Sequence, residues 1–159
     1  MNMKKSVLIV CTGNSCRSVM AEGLLKKWLK DHGCDDVIVD SAGIATVPGL
    51  MASSNAVEVM KREYVDISSH RAQVISGRLI EEHNLILCME PVHVQTIVEL
   101  LPEAENKTHL LLDYAYEGER EKPKTLRVTD PIGKPKEAYE SVLIILKDAI
   151  ERVGKKLCG

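Results

Sequence analysis

The sequence predicts a single three-layer α/β domain over residues 1–159, a parallel sheet with helices on both faces. Three observations predict it. Short apolar runs of strand length alternate with stretches of helical periodicity, which implies parallel pairing through right-handed crossovers. The strand runs are continuous rather than alternating, as expected for strands covered on both sides. The length suits one domain with a substantial core, whereas two domains would both be small.

The elements follow in order. Residues 6–10, Ser-Val-Leu-Ile-Val, form the first strand pattern. From Val19 to His32, Met20, Leu24 and Trp28 with Ala21, Leu25 and Leu29 recur at four-residue spacing, giving a helix with one buried face and Gly33 as its stop. Gly23 opposes this helix, since an interior glycine costs about 1 kcal/mol against alanine. Val37 to Val39 is a second strand, closed by Asp40-Ser41-Ala42-Gly43, and residues 45–54 are a small-residue loop. Asn55 with Glu58 has capping-box character and predicts a helix to about Glu63. Leu85 to Met89 is a third strand, and Glu90-Pro91 opens a helix whose inward face is Val94, Ile97, Val98 and Leu101. Thr108 to Leu112 is a fourth strand, and Asp113 to Thr129 reads as an irregular surface loop. Lys136 to Val153 is a helix with Tyr139, Val142, Leu143, Leu146, Ala149, Ile150 and Val153 on one stripe.

Composition narrows the function classes. A net charge of -2 leaves no broad basic surface for nucleic acid. No apolar run approaches the roughly 20 residues that span a bilayer, so no membrane partner is expected. Met1 to Lys5 leads into a strand pattern rather than a secretory segment, which points to the cytoplasm. The five cysteines are odd in number and lack disulfide-framework spacing, so they are expected to be reduced. Phe is absent, so the core must be mainly aliphatic.

The chemistry concentrates in Cys11-Thr12-Gly13-Asn14-Ser15-Cys16-Arg17-Ser18, between the first strand and the first helix. Gly13 permits a loop that curls its N–H groups inward, and the following helix start adds unpaired N–H groups and a positive dipole end. Arg17 contributes a planar fork of donors suited to two phosphoryl oxygens. At a helix N-terminus or beside arginine a thiol pKa falls to about 3.5–7.5, which predicts Cys11 as a thiolate nucleophile in a phosphate cradle. A nucleotide-binding loop is excluded, because the required second Gly and Lys are missing. The five histidines are scattered without ligand pairs, so neither a metal nor another cofactor is expected.

This stretch resembles the signature of the low-molecular-weight protein tyrosine phosphatases, in which Cys, five residues, Arg and Ser stand near the amino end. That family includes bacterial protein-arginine phosphatases and shares its fold with thioredoxin-coupled arsenate reductases. The resemblance extends over essentially the whole chain and implies a four-stranded flavodoxin-like sheet of order 2-1-3-4. It also implies that Ser41 supports Asn14, that His70 bonds Asn14 from outside the pocket, and that Asp130 of Asp130-Pro131 is the general acid. Alone, Ser41 also reads as a turn residue and Asp-Pro as a turn signal. Val19 stands where the family usually has proline. Ile132, Gly133, Tyr114 and Tyr116 are candidates for the substrate rim, with a solvated connector as the alternative for the two tyrosines.

The implied reaction is attack of Cys11 on phosphorus, protonation of the leaving atom by Asp130, and hydrolysis of a cysteinyl-phosphate to release inorganic phosphate. Ser18 is expected to donate to the Cys11 sulfur. The partner is a phosphorylated protein or peptide. Two alternatives remain, arsenate reduction, for which Cys88 lies near the expected second relay cysteine but Met89 to Glu99 contains no third, and a non-catalytic phospho-residue binding module. Cys16 reads equally as a disulfide partner that protects oxidised Cys11 or as packing under the loop. Phosphotyrosine members usually carry a bulky aliphatic residue where Ser15 stands and aromatics after Asp-Pro, and the phosphoarginine branch a threonine and then an aromatic followed by glycine. Ser15 leaves room and a polar partner for a guanidino group, and the missing aromatics at Ile132-Gly133 weaken stacking on a phenyl ring, which together lean toward phosphoarginine.

Overall fold

A computed structural model describes residues 5–159. Met1 to Lys4, most of the segment that points to the cytoplasm, lie outside the described residues. The order is β1 (Lys5–Cys11), α1 (Arg17–Asp31), β2 (Val37–Gly43), α2 (Ser54–Lys61), α3 (Gly77–Glu82), β3 (Leu85–Cys88), α4 (Pro91–Leu100), a 3-10 turn (Pro102–Lys107), β4 (Thr108–Leu110), α5 (Leu111–Ala115) and α6 (Lys136–Cys158). All strand pairs are parallel in the flavodoxin-like order β2-β1-β3-β4.

Strand β1 shows why the apolar runs do not alternate. Val7, Ile9 and Cys11 enter a core shared with α1, α2, α5 and α6, while Leu8 and Val10 enter a second core with Ile80, Ile86 and Ile97. Both faces are covered, so successive side chains are all apolar. Helix α1 lies on one face and α4 on the other, and the chain from β1 and the chain from β3 therefore leave the sheet in opposite directions. The carboxyl end of β1 opens into the crevice at this switch point.

Close approaches explain two glycines. A Cβ on Gly23 would lie 2.9 Å from Val65 Cγ1, so the interior glycine lets the chain after α2 pack on α1. A Cβ on Gly43 would lie 2.6 Å from the carbonyl oxygen of Thr12, so β2 must end in glycine to admit the loop after β1.

Several sequence expectations need correction. Helix α1 begins at Arg17, two residues early, and α6 runs on to Cys158. Ser53 rather than Asn55 caps α2, accepting from the Ala56 N–H. Leu111 and Leu112 belong to a helix, because a short apolar run does not distinguish a strand from a buried helical turn. On α4 the buried positions are His93 and Ile97, with Val94 and Val98 half-buried. The cysteines are not all reduced: Cys34 and Cys158 form a disulfide, which leaves Cys11, Cys16 and Cys88 free.

Candidate active site

The loop after β1 is built around Asn14, whose backbone takes φ 52°. Asparagine tolerates this left-handed conformation better than most residues. Each of its polar groups has a partner. Its N–H points at Cys11 Sγ (3.3 Å), and its carbonyl accepts from His70 Nε2 (2.7 Å). Its Oδ1 accepts from the Gln73 N–H (3.0 Å), and its Nδ2 donates to Ser18 Oγ (2.8 Å) and Ser41 Oγ (2.9 Å). Ser41 in turn donates to Glu22 on α1. Because Asn14 is fully buried, each of these bonds offsets a desolvation cost and fixes a direction.

Cys11 Sγ lies 2.9 Å from Ser18 Oγ, on the first turn of α1. With Thr12, Gly13, Ser15, Cys16, Arg17, Asp130 and Ile132 it lines a cleft of about 120 Å³. A larger hollow of about 410 Å³, between α1 and residues 64–70, contains none of Cys11, Arg17 or Asp130.

Arg17 is 1% exposed and is gripped from behind. Its Nη1 donates to the Val128 carbonyl (2.7 Å) and lies 3.2 Å from Glu90 Oε2, while its Nη2 is 3.5 Å from Asp130 Oδ2. The Val128 N–H donates to the Met89 carbonyl, so the segment leading to Asp130 is pinned to the end of β3. Asp130 Oδ1 accepts the Ile132 N–H, a local turn that holds its carboxyl group at the cleft.

The loop between β2 and α2 wraps the outside. Ile44 and Ala45 N–H groups donate to the Cys11 and Thr12 carbonyls, and the Ser53 N–H donates to that of Ser15. Cys16 packs beneath, with its sulfur 3.2 Å from Ser53 Oγ and 3.6 Å from the Tyr139 hydroxyl. On the α4 side His93, fully buried, bonds Thr12 Oγ1 through Nε2 (2.9 Å) and accepts the Glu90 N–H at Nδ1 (3.0 Å). Burial and the Arg17 charge lower its pKa to about 4.

Three of the four expected rim residues do not line the cleft. Tyr116 bonds Asp148 and lies under Arg152, and Tyr114 lies under Lys156, all on α6. The cationic side chains of α6 claim both rings. Gly133 forms a turn (φ 74°) and does not line the cleft. Sequence reasoning missed Glu22, Gln73, Glu90, His93, Val128, Ser53 and Tyr139. His93 left one signal, a polar residue inside the apolar face of α4.

A family model described as low molecular weight phosphotyrosine protein phosphatase matches residues 6–158. The chain belongs to this family. Among its relatives, a probable low molecular weight protein-tyrosine-phosphatase EpsP of Ralstonia nicotianae is 36% identical, covering 94% of this chain and 93% of its own. A low molecular weight protein tyrosine phosphatase structure from T. tengcongensis superposes with TM-score 0.85 at 37% identity, over 96% and 99% of the two chains. The YwlE arginine phosphatase from Geobacillus stearothermophilus gives TM-score 0.84 at 32% identity, over 97% and 93%. The phosphatase is thus a cysteine-dependent hydrolase, and these matches support that reading and not arsenate reduction. Cys88 is fully buried in the second core, where burial and the neighbouring Cys11 push its thiol pKa up, so it is poorly suited to relay a disulfide. Among the described residues no helix is long and apolar enough to cross a membrane.

Proposed function

We propose that the phosphatase acts as one domain on phosphoarginine in proteins or peptides, with Cys11 as nucleophile, Arg17 and the loop N–H groups as oxyanion donors, and Asp130 as acid and then base. The observation that carries the catalytic part is the shared cleft of Cys11, Arg17 and Asp130. Thr12, Gly13, Asn14, Ser15, Cys16 and Ser18 form the cradle, with Ser41 and His70 holding Asn14 from outside. Cys11 attacks phosphorus in line, Arg17 draws charge onto the equatorial oxygens, and the leaving atom takes the Asp130 proton. Water then cleaves the cysteinyl-phosphate, and Ser18 eases departure of the sulfur by hydrogen bonding. The route uses no metal and releases inorganic phosphate. Neither nucleic acid nor membrane takes part, and the setting is cytoplasmic.

The substrate choice rests on Ser15 and Ile132 as cleft residues and on the absence of an aromatic ring from the cleft lining. Phosphotyrosine is the second reading, favoured by the names of the sequence relatives. Cys11→Ser should lower hydrolysis of an aryl phosphate by at least about 10³-fold, and Asp130→Ala by roughly 10²–10⁴-fold with phosphate binding retained. Full turnover by Cys11→Ser rejects the mechanism. Comparing phosphoarginine and phosphotyrosine peptides tests the substrate; Ser15→Ile should depress the first activity more than the second.

A further inference from the structure

We propose that His93 is a positioning residue which turns the Thr12 hydroxyl into a hydrogen-bond donor facing the phosphorylated group in the cleft. The inference rests on the reading of the Cys11 to Ser18 loop as the phosphate site. The Glu90 N–H can only donate, so His93 Nδ1 is an acceptor and carries no proton. A neutral imidazole then has its single proton on Nε2, which lies 2.9 Å from Thr12 Oγ1 and donates to it. The hydroxyl accepts on that side, and its own hydrogen is free to point elsewhere. Thr12 lines the cleft beside Cys11 and Arg17, so an anion bound there is offered that hydrogen.

The surroundings keep the ring neutral. It is fully buried, and of the charged groups that act on it, Arg17 opposes its protonation while Glu90 and Asp130 favour it. Burial and Arg17 prevail, leaving the pKa at about 4. The same ring ties the cleft to the start of α4, since the Glu90 N–H stands at that helix's N-terminus.

Two substitutions separate the two ring nitrogens. His93→Asn retains an acceptor near the Nδ1 position and loses the donor to Thr12. His93→Gln carries an amide nitrogen that reaches the Nε2 position and can donate. The expected result is a fall of about tenfold in kcat/KM for p-nitrophenyl phosphate in His93→Asn, with most of it restored in His93→Gln. Thr12→Val should lose a similar factor, and His93→Asn should cost nothing further in the Thr12→Val background. If His93→Asn lowers Tm while kcat/KM of the folded enzyme is unchanged, or if the two losses multiply, the proposal is overturned. The underlying phosphate site is checked separately in the wild type, where inorganic phosphate should protect Cys11 from alkylation. Lack of that protection rejects the site itself, whatever the His93 variants do.

Discussion

At its amino end α1 meets a loop whose shape is set by directional bonds to buried polar atoms, five of them on Asn14 alone. At its carboxyl end the same helix is held by shape and by a covalent link. Trp28 packs so tightly on Gly154 that a Cβ there would approach its ring to 2.3 Å, and Cys34, just beyond the helix, is joined to Cys158. Hydrogen bonds fix angles but contribute little net stability each, whereas a cross-link between distant residues restricts the unfolded chain and leaves the far cleft untouched. Changes at the carboxyl end of α1 should therefore move stability without moving turnover, and changes at the amino end should do the reverse.

The largest effect tests the carboxyl end. The disulfide spans 124 residues, and in the chain-entropy account a loop of that order contributes about 4–5 kcal/mol. Cys34→Ser should lower the midpoint of thermal unfolding by many degrees, and dithiothreitol should do the same to the wild type. Aryl phosphate turnover well below that midpoint should stay the same. A fall in kcat would show that the two ends are coupled. Counting alkylatable thiols in protein drawn from reducing cells also tests the cytoplasmic setting, because the compartment that keeps Cys11 reduced also favours opening Cys34–Cys158.

Next comes the amino end. Asn14→Gly keeps the positive φ and removes the side-chain bonds to Ser18, Ser41 and Gln73. With the donors of the loop no longer preorganised, kcat/KM should fall by about 10²-fold, equivalent to about 3 kcal/mol of transition-state stabilisation. The unfolding midpoint should shift less than in Cys34→Ser. The reverse order would break the comparison.

The two ends were also unequally legible in the sequence. Cys11 and Arg17 stand a few residues apart between a strand and a helix, so local pattern alone placed them in one loop. The groups that hold Arg17 and the loop come from distant segments: Val128 is 111 residues from Arg17, and His93 is 81 from Thr12. No periodicity encodes such pairs; parallel topology creates them. Ser41 and His70 were found through family resemblance, not through spacing. Cys34 and Cys158 lay hidden for the same reason as Val128, since neither has a local partner pattern. β1 and β3 were legible because their burial on both faces leaves an apolar run, whereas the run at β4 continues into a helix.

A smaller effect comes from His93. Its pKa falls from the ordinary 6.5 to about 4 in the folded protein, so between those values the unfolded chain binds the extra proton. Stability from this group is present above pH 6.5 and is lost as pH falls toward 4, by at most about 3 kcal/mol. Denaturant titrations of wild type and His93→Gln at pH 7 and pH 4.5 isolate it: the wild type should lose more. An equal loss would mean that His93 is not held neutral.

The smallest effect sharpens the boundary of the cleft. Tyr116 stands in the irregular segment that leads toward Asp130, yet its hydroxyl bonds Asp148 and its ring lies 4.3 Å from the Arg152 guanidinium carbon. Tyr116→Phe removes the hydroxyl and keeps the ring under the cation. The bond is exposed, so the loss in stability should be under about 1 kcal/mol. Turnover of aryl phosphate and of phosphopeptides should match the wild type, because the ring is anchored to α6 and not to the cleft wall. A changed KM for a phosphopeptide with unchanged stability would place Tyr116 on the substrate side and extend the cleft beyond Ile132.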